Sequence, residues 1–137
     1  YNQFCIKRDA KSCVSTTVEN IKNIRNQADF VVVYTYWGVE YNTGVAENVK
    51  NIAHNFIDSG ADLVIGSHPH VVEPSEDYKG KRIYYSLGNF IFDQYFSEDT
   101  KKGLGVIADF SPDLKKMEFK EINLVLKTNG QTVADGL

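Results

Sequence analysis

Ala61-Asp62-Leu63-Val64-Ile65-Gly66-Ser67-His68-Pro69-His70 is the stretch on which the fold turns. Its short apolar run ends on glycine and gives way at once to polar residues. That pattern predicts a buried strand delivering two imidazoles at its carboxyl end. Immediately upstream, Val45, Val49, Ile52, Ala53, Phe56 and Ile57 form one apolar stripe at helical spacing. Gly60 follows as a C-cap, since glycine tolerates the left-handed conformation required there. Upstream again, residues 29–36 are β-branched and aromatic, nearly all apolar, and broken by Trp37-Gly38. They predict a strand covered on both faces. Strand, helix and strand within about 40 residues make a right-handed βαβ unit with parallel strands. The expected fold class is therefore α/β.

Outside this unit the signals are simpler. Ser15-Thr16-Thr17 predicts a helix N-cap, with Val18, Ile21 and Ile24 at helical spacing and an end near Asn26. After His70 comes an irregular polar stretch containing Pro74 and Gly80, then a strand over residues 82–86. Gly103 to Phe110 and Met117 to Lys127 predict an antiparallel pair joined by a Ser111-Pro112-Asp113 turn, and residues 130–137 a loose end. No repeat, low-complexity region or linker interrupts the chain.

The 137 residues, 42% hydrophobic and 24% charged, suit one domain with a core of its own. Lys and Arg number 15 against 18 Asp and Glu, a net charge of −3 that argues against a nucleic-acid partner. No apolar run approaches the roughly 18 residues that would cross a bilayer. The sequence begins at Tyr1 and is read as a processed product, a fragment or an excerpt of a longer protein; any anchor or export signal would lie upstream. Cys5 and Cys13 are read as a local disulfide of an exported protein, against the alternative of two unlinked thiols. Two thiols with no nearby histidine disfavour zinc there.

In open α/β sheets, ligands collect where loops leave the carboxyl ends of parallel strands. Three such loops are expected: residues 37–43, 67–72 and 87–96. His68 and His70 sit at i and i+2, and Pro69 favours an extended His68, so both imidazoles point one way. Such a pair suits a transition metal, although a hydrogen-bonded loop pair is the alternative. Glu40 is a candidate ligand or general acid/base, or else a solvent-facing carboxylate. Asn89 is a candidate for orienting a substrate oxygen or a metal-bound histidine, or else a turn cap. His54 lies beside the helical stripe and is read as a surface residue. The aromatics between Tyr84 and Phe96 are read as core by default.

Three segments together resemble one family. Tyr36-Trp37-Gly38-Val39-Glu40-Tyr41 is similar to its His-Trp-Gly-x-Glu-Tyr segment. Residues 60–71 match its GADLVIG-x-HPHV segment, and Tyr85-Ser86-Leu87-Gly88-Asn89-Phe90 matches its YSLGNF segment. They occur in the family's order and spacing, and the resemblance covers about residues 18 to 125. The chain thus resembles the C-terminal part of CapA-type capsule-synthesis (poly-γ-glutamate synthesis) proteins, which are similar to calcineurin-like metallophosphoesterases.

The resemblance implies a two-sheet sandwich flanked by helices, with the N-terminal half absent from the 137 residues. It implies a divalent metal (Mn, Fe or Zn) held by His68 and His70, with Glu40 or Asn89 assisting. It also implies work on an anionic capsule polymer, or with its synthesis machinery, at the cell envelope or outside the cell. Any membrane attachment would lie in segments outside these residues. Two departures bear on chemistry. The family's histidine before Trp-Gly is Tyr36 here, and a neutral phenol is a poor metal ligand. The upstream segments that would complete the metal shell are missing. A metal-dependent phosphoesterase-like hydrolase and a non-catalytic polymer- or partner-binding scaffold are the competing expectations, with a purely structural role in an extracellular assembly as the third.

Overall fold

A computed structural model describes residues 10–135. The first helix, α1, spans Ala10–Ile24 and passes through a 3₁₀ turn at Arg25–Gln27 into β1 (Val32–Tyr36). Helix α2 (Glu47–Asp58) and strand β2 (Leu63–Ser67) complete the expected βαβ unit. The strands run parallel, with Val32 beside Leu63 and Tyr36 beside Ser67. Next come β3 (Ser75–Tyr78), β4 (Lys81–Tyr84), β5 (Lys102–Ser111), β6 (Lys116–Leu126) and β7 (Thr132–Ala134). The first sheet has the order β1-β2-β4-β3 and the second β5-β6-β7. The α/β class holds, with parallel βαβ strands followed by antiparallel ones.

The α2 stripe buries Val49, Ala53, Phe56 and Ile57 against β1, β2 and β4. Ile21 of α1 joins the same core, with Val31, Val33, Val64, Ile83 and Tyr85. On the other face, Tyr84 is buried under Phe119 of β6, and its hydroxyl donates to Glu121 at 2.9 Å. Arg82 also donates to Glu121, at 3.1 Å, so the two sheets are joined at β4.

Several expectations are corrected. Strand β1 is covered on one face only: Val33 is buried, while Tyr34 and Tyr36 are 70% and 75% exposed. Among the described residues it is an edge strand, and Phe119 of the second sheet packs on Tyr84 of β4. Helix α1 starts well before Ser15. Ser15 and Thr16 donate back to the Ser12 carbonyl and Thr17 to that of Cys13, bonds that satisfy hydroxyls inside a helix. The polar stretch after His70 contains β3, paired with β4 around Lys79-Gly80, both at positive φ as a two-residue hairpin loop requires. The expected loose end contains β7, which pairs with β6. His54 is half-buried, stacked on Tyr78 at 3.8 Å and bonded to Glu76 at 2.9 Å, because α2 packs beside the β3–β4 hairpin. Cys5 lies outside the described residues, and the expected Cys5–Cys13 pairing with it. Among the described residues no helix is long and apolar enough to cross a membrane.

Candidate metal centre

The carboxyl ends of β1 and β2 carry the site. Beyond β1, the Trp37 amide donates to the Ser67 carbonyl at 3.0 Å, extending the parallel ladder by one bond. The Trp37 indole N–H donates to the Tyr85 carbonyl at 2.9 Å, crossing directly over Gly66. Only glycine fits beneath that bond: a Cβ on Gly66 would lie 2.0 Å from the Tyr85 oxygen and 2.3 Å from the indole nitrogen. Gly38 then turns the chain at φ +88°, and the Tyr41 amide donates to the Pro69 carbonyl at 2.7 Å. The loop that carries Glu40 is thereby tied to the turn that carries both histidines.

Glu40, His68 and His70 each offer a donor atom, and these atoms all lie within 4.8 Å of one another. Glu40 is exposed and the two histidines are half-buried. Both histidines adopt positive φ, 107° for His68 and 62° for His70, so Pro69 does not leave His68 extended. The imidazoles converge through a tight turn, with ring centroids 6.1 Å apart. Tyr36 lies against His68 with ring centroids 4.3 Å apart, and Phe92 and Tyr41 flank His70 at 5.0 and 6.0 Å.

Asn89 fixes the state of His70. It is buried, and its amide nitrogen donates to the Thr100 carbonyl at 3.0 Å and to Gln94 at 3.3 Å. Because the Thr100 carbonyl can only accept, the Asn89 side-chain oxygen faces His70 Nδ1, 3.0 Å away. Nδ1 therefore carries the proton, and in the neutral ring Nε2 is left as a free acceptor. That is the arrangement by which an outer hydrogen bond prepares a histidine for a metal.

Two imidazoles and a carboxylate form a donor set suited to Zn, Fe or Mn. One further observation fits an ion. His68 Nδ1 is buried with no hydrogen-bond partner, a cost that proteins seldom leave unmet. The other such atom among the described residues is Oε2 of Glu73. Burial pushes the Glu73 carboxyl up to about 7. The sequence singled out neither Glu73 nor Thr100 and Gln94, the partners of Asn89. A lone acid between Val71-Val72 and Pro74 was the available signal for Glu73.

A second cleft of about 380 Å³, between Arg25, Asp29, Phe30, Asp62, Lys81 and Lys115, opens at the other end of the parallel strands. Its buried Asp62 is paired with both Arg25 and Lys81 and takes the Val31 amide at 2.9 Å. Those charges satisfy one another, and the cleft is a structural joint.

Relatives place this geometry in context. Over 74 residues the chain is 47% identical to the PGA biosynthesis protein CapA of Bacillus subtilis, covering 54% of this chain and 20% of that protein. Over 70 residues it is 46% identical to the capsule biosynthesis protein CapA of Bacillus anthracis, covering 51% and 17%. A probable polyglutamine synthesis accessory protein of Mycobacterium tuberculosis is 30% identical over 91 residues, covering 66% and 22%. The matched stretch thus spans about a fifth of the length of these curated relatives. The profile of the bacterial capsule synthesis protein family PGA_cap, whose domain is of the metallophosphoesterase-like type, matches residues 6–94, which take in Glu40, His68, His70 and Asn89. The chain belongs to the bacterial capsule synthesis protein family.

Proposed function

We propose that this chain is the C-terminal part of a protein that builds or exports an anionic capsule polymer of the poly-γ-glutamate type. In this reading Glu40, His68 and His70 hold a divalent metal. The observation that carries it is the convergence of those three donors from two of the family's segments, with Asn89 leaving His70 Nε2 free. A bound ion would activate water and polarise a phosphoryl or acyl oxygen.

The chain's own residues do the rest. Asn89 holds the His70 proton on Nδ1. The Tyr41–Pro69 hydrogen bond keeps the two loops in register. Phe92 and Tyr41 flank the His70 ring and limit the directions in which it can turn. With a net charge of −3, the chain gives an anionic polymer no general attraction, so the ion would supply it locally. Such a protein works at the cell envelope or outside the cell, beside the polymer-synthesis machinery.

A non-catalytic polymer-binding scaffold is favoured by one observation. Tyr36, which stands where the resemblance expects a histidine, packs its ring against His68 at a tilt of 34°. Elemental analysis of the purified protein beside a His68→Ala/His70→Ala variant separates the two readings. Stoichiometric Mn, Fe or Zn that vanishes in the variant supports the metal centre and directs a hydrolase screen. Absence of metal from both folded proteins overturns the metal centre and leaves the scaffold.

A further inference from the structure

Glu73 has no role in the centre described above, yet it occupies the joint on which that centre depends. Its residue is 5% exposed, and no ion pair among the described residues involves it. Its backbone is anchored: the Glu73 amide donates to the Ser86 carbonyl at 3.1 Å, and the Ser86 hydroxyl donates to the Val71 carbonyl at 2.7 Å. Its carboxyl oxygen Oε1 lies beside the Gly38 turn, where that turn meets Pro69. A Cβ built on Gly38 would lie 3.1 Å from the Pro69 ring and 3.9 Å from Glu73 Oε1. Pro69 stands between the two histidines and is fully buried, and Gly38 stands two residues before Glu40.

We propose that Glu73 is a positioning residue whose side chain props the Gly38 turn against Pro69, setting the distance between Glu40 and the two histidines without touching the metal. The inference rests on the metal-centre reading. A buried carboxyl with an unpartnered oxygen is costly for stability alone, and an apolar side chain would fill the same space more cheaply. A role for its planar end beside the Gly38 turn accounts for a carboxyl at this position. Glutamine has the same shape, so the role requires that shape and not a charge.

The test compares wild type with Glu73→Gln, Glu73→Ala and Glu73→Val. Binding of Mn²⁺ and Zn²⁺ is measured by competition with a chelator, and the emission of Trp37, the single tryptophan, is recorded without metal. Valine keeps bulk near the main chain and serves if the alanine variant does not fold. Glutamine is expected to stay within about threefold of wild-type affinity, while alanine and valine weaken it by about tenfold or more, as loss of an outer support typically does. The same two variants are expected to change the Trp37 emission, and glutamine to leave it unchanged. A folded alanine or valine variant with wild-type affinity and wild-type emission overturns the proposal. Wild type that binds neither ion, with Trp37 still responding to alanine and restored by glutamine, overturns the metal reading and leaves Glu73 as the prop of the loops.

Discussion

Gly66→Ala is the most demanding check on the geometry at the end of β2. The added methyl carbon would sit 2.0 Å from the Tyr85 carbonyl oxygen and 2.3 Å from the Trp37 indole nitrogen. Ordinary carbon contacts need about 3.5 Å, so a group must move by more than about 1 Å. The neighbours are a buried strand end and a packed ring, with Tyr85 only 1% exposed. The Trp37–Tyr85 hydrogen bond breaks, leaving a buried carbonyl unpaired at a cost of about 1–3 kcal/mol. Overpacking adds about 1–3 kcal/mol. Restricting the unfolded chain returns about 0.4–1 kcal/mol.

A net loss of about 3 kcal/mol is expected, or roughly 10 °C in Tm for a domain of this size. Urea unfolding followed by Trp37 fluorescence measures it, and the emission of the folded state should also shift. Gly44→Ala is the control. Its methyl would meet only Asn42, at 3.5 Å, so the change should stay within about 0.5 kcal/mol. If Gly66→Ala matches that control and leaves the Trp37 emission unchanged, the placement of Trp37 over Gly66 is wrong.

Three further outcomes are expected. Asn89→Ala removes the bond that holds the His70 proton on Nδ1, and metal affinity should fall about tenfold to a hundredfold in a chelator competition. Asp62→Asn should cost about 3 kcal/mol in urea, because Arg25 and Lys81 lose their buried partner, while metal affinity stays at the wild-type level. Burial pushes Asp62 up, but bonds from Lys81, the Val31 amide and Arg25 outweigh it and hold the carboxyl below 3.8. Its contribution is therefore complete above that value and is lost in acid as the folded-state carboxyl protonates, so Asp62→Asn should flatten the acid limb of the stability profile. Glu73 has the opposite sign: burial raises its carboxyl from 4.5 to about 7. Its contribution is complete below 4.5 and is lost as pH rises through 7, a span of about 3 kcal/mol. Glu73→Gln should remove that slope and be more stable than wild type at pH 8.

The parts of the fold that read clearly were those where one physical signal dominated. The α2 stripe and the run from Ala61 to Ile65 had a single solution, and the structure contains it. Strand β3 was hidden because Ser75-Glu76-Asp77-Tyr78 is polar and edge-placed, and its only local mark was Lys79-Gly80. The open face that β1 has among the described residues was illegible because Val32, Tyr34 and Tyr36 carry an interior composition, whereas the second sheet packs its Phe119 on Tyr84 of β4. At the candidate site, residue types and loop ends were readable, and Glu40, His68 and His70 do come together. The tautomer of His70 was not, since it depends on Thr100 and Gln94, which lie beyond the motif. Nor was the turn itself: Pro69 suggested an extended His68, whereas the tie from Tyr41 to Pro69 accompanies a backbone that doubles back.

The positive φ of His68 and His70 has a consequence for how these positions would respond to selection. Side chains with a Cβ rarely occupy that region, and holding one there costs on the order of 1–3 kcal/mol. A randomised library at the two positions, screened for folding alone, should enrich glycine at 68 and asparagine or glycine at 70. The same library screened for metal retention should return histidine at both. Imidazoles that persist where glycine or asparagine would fold more easily would then record a demand made by chemistry, one that folding by itself would have erased.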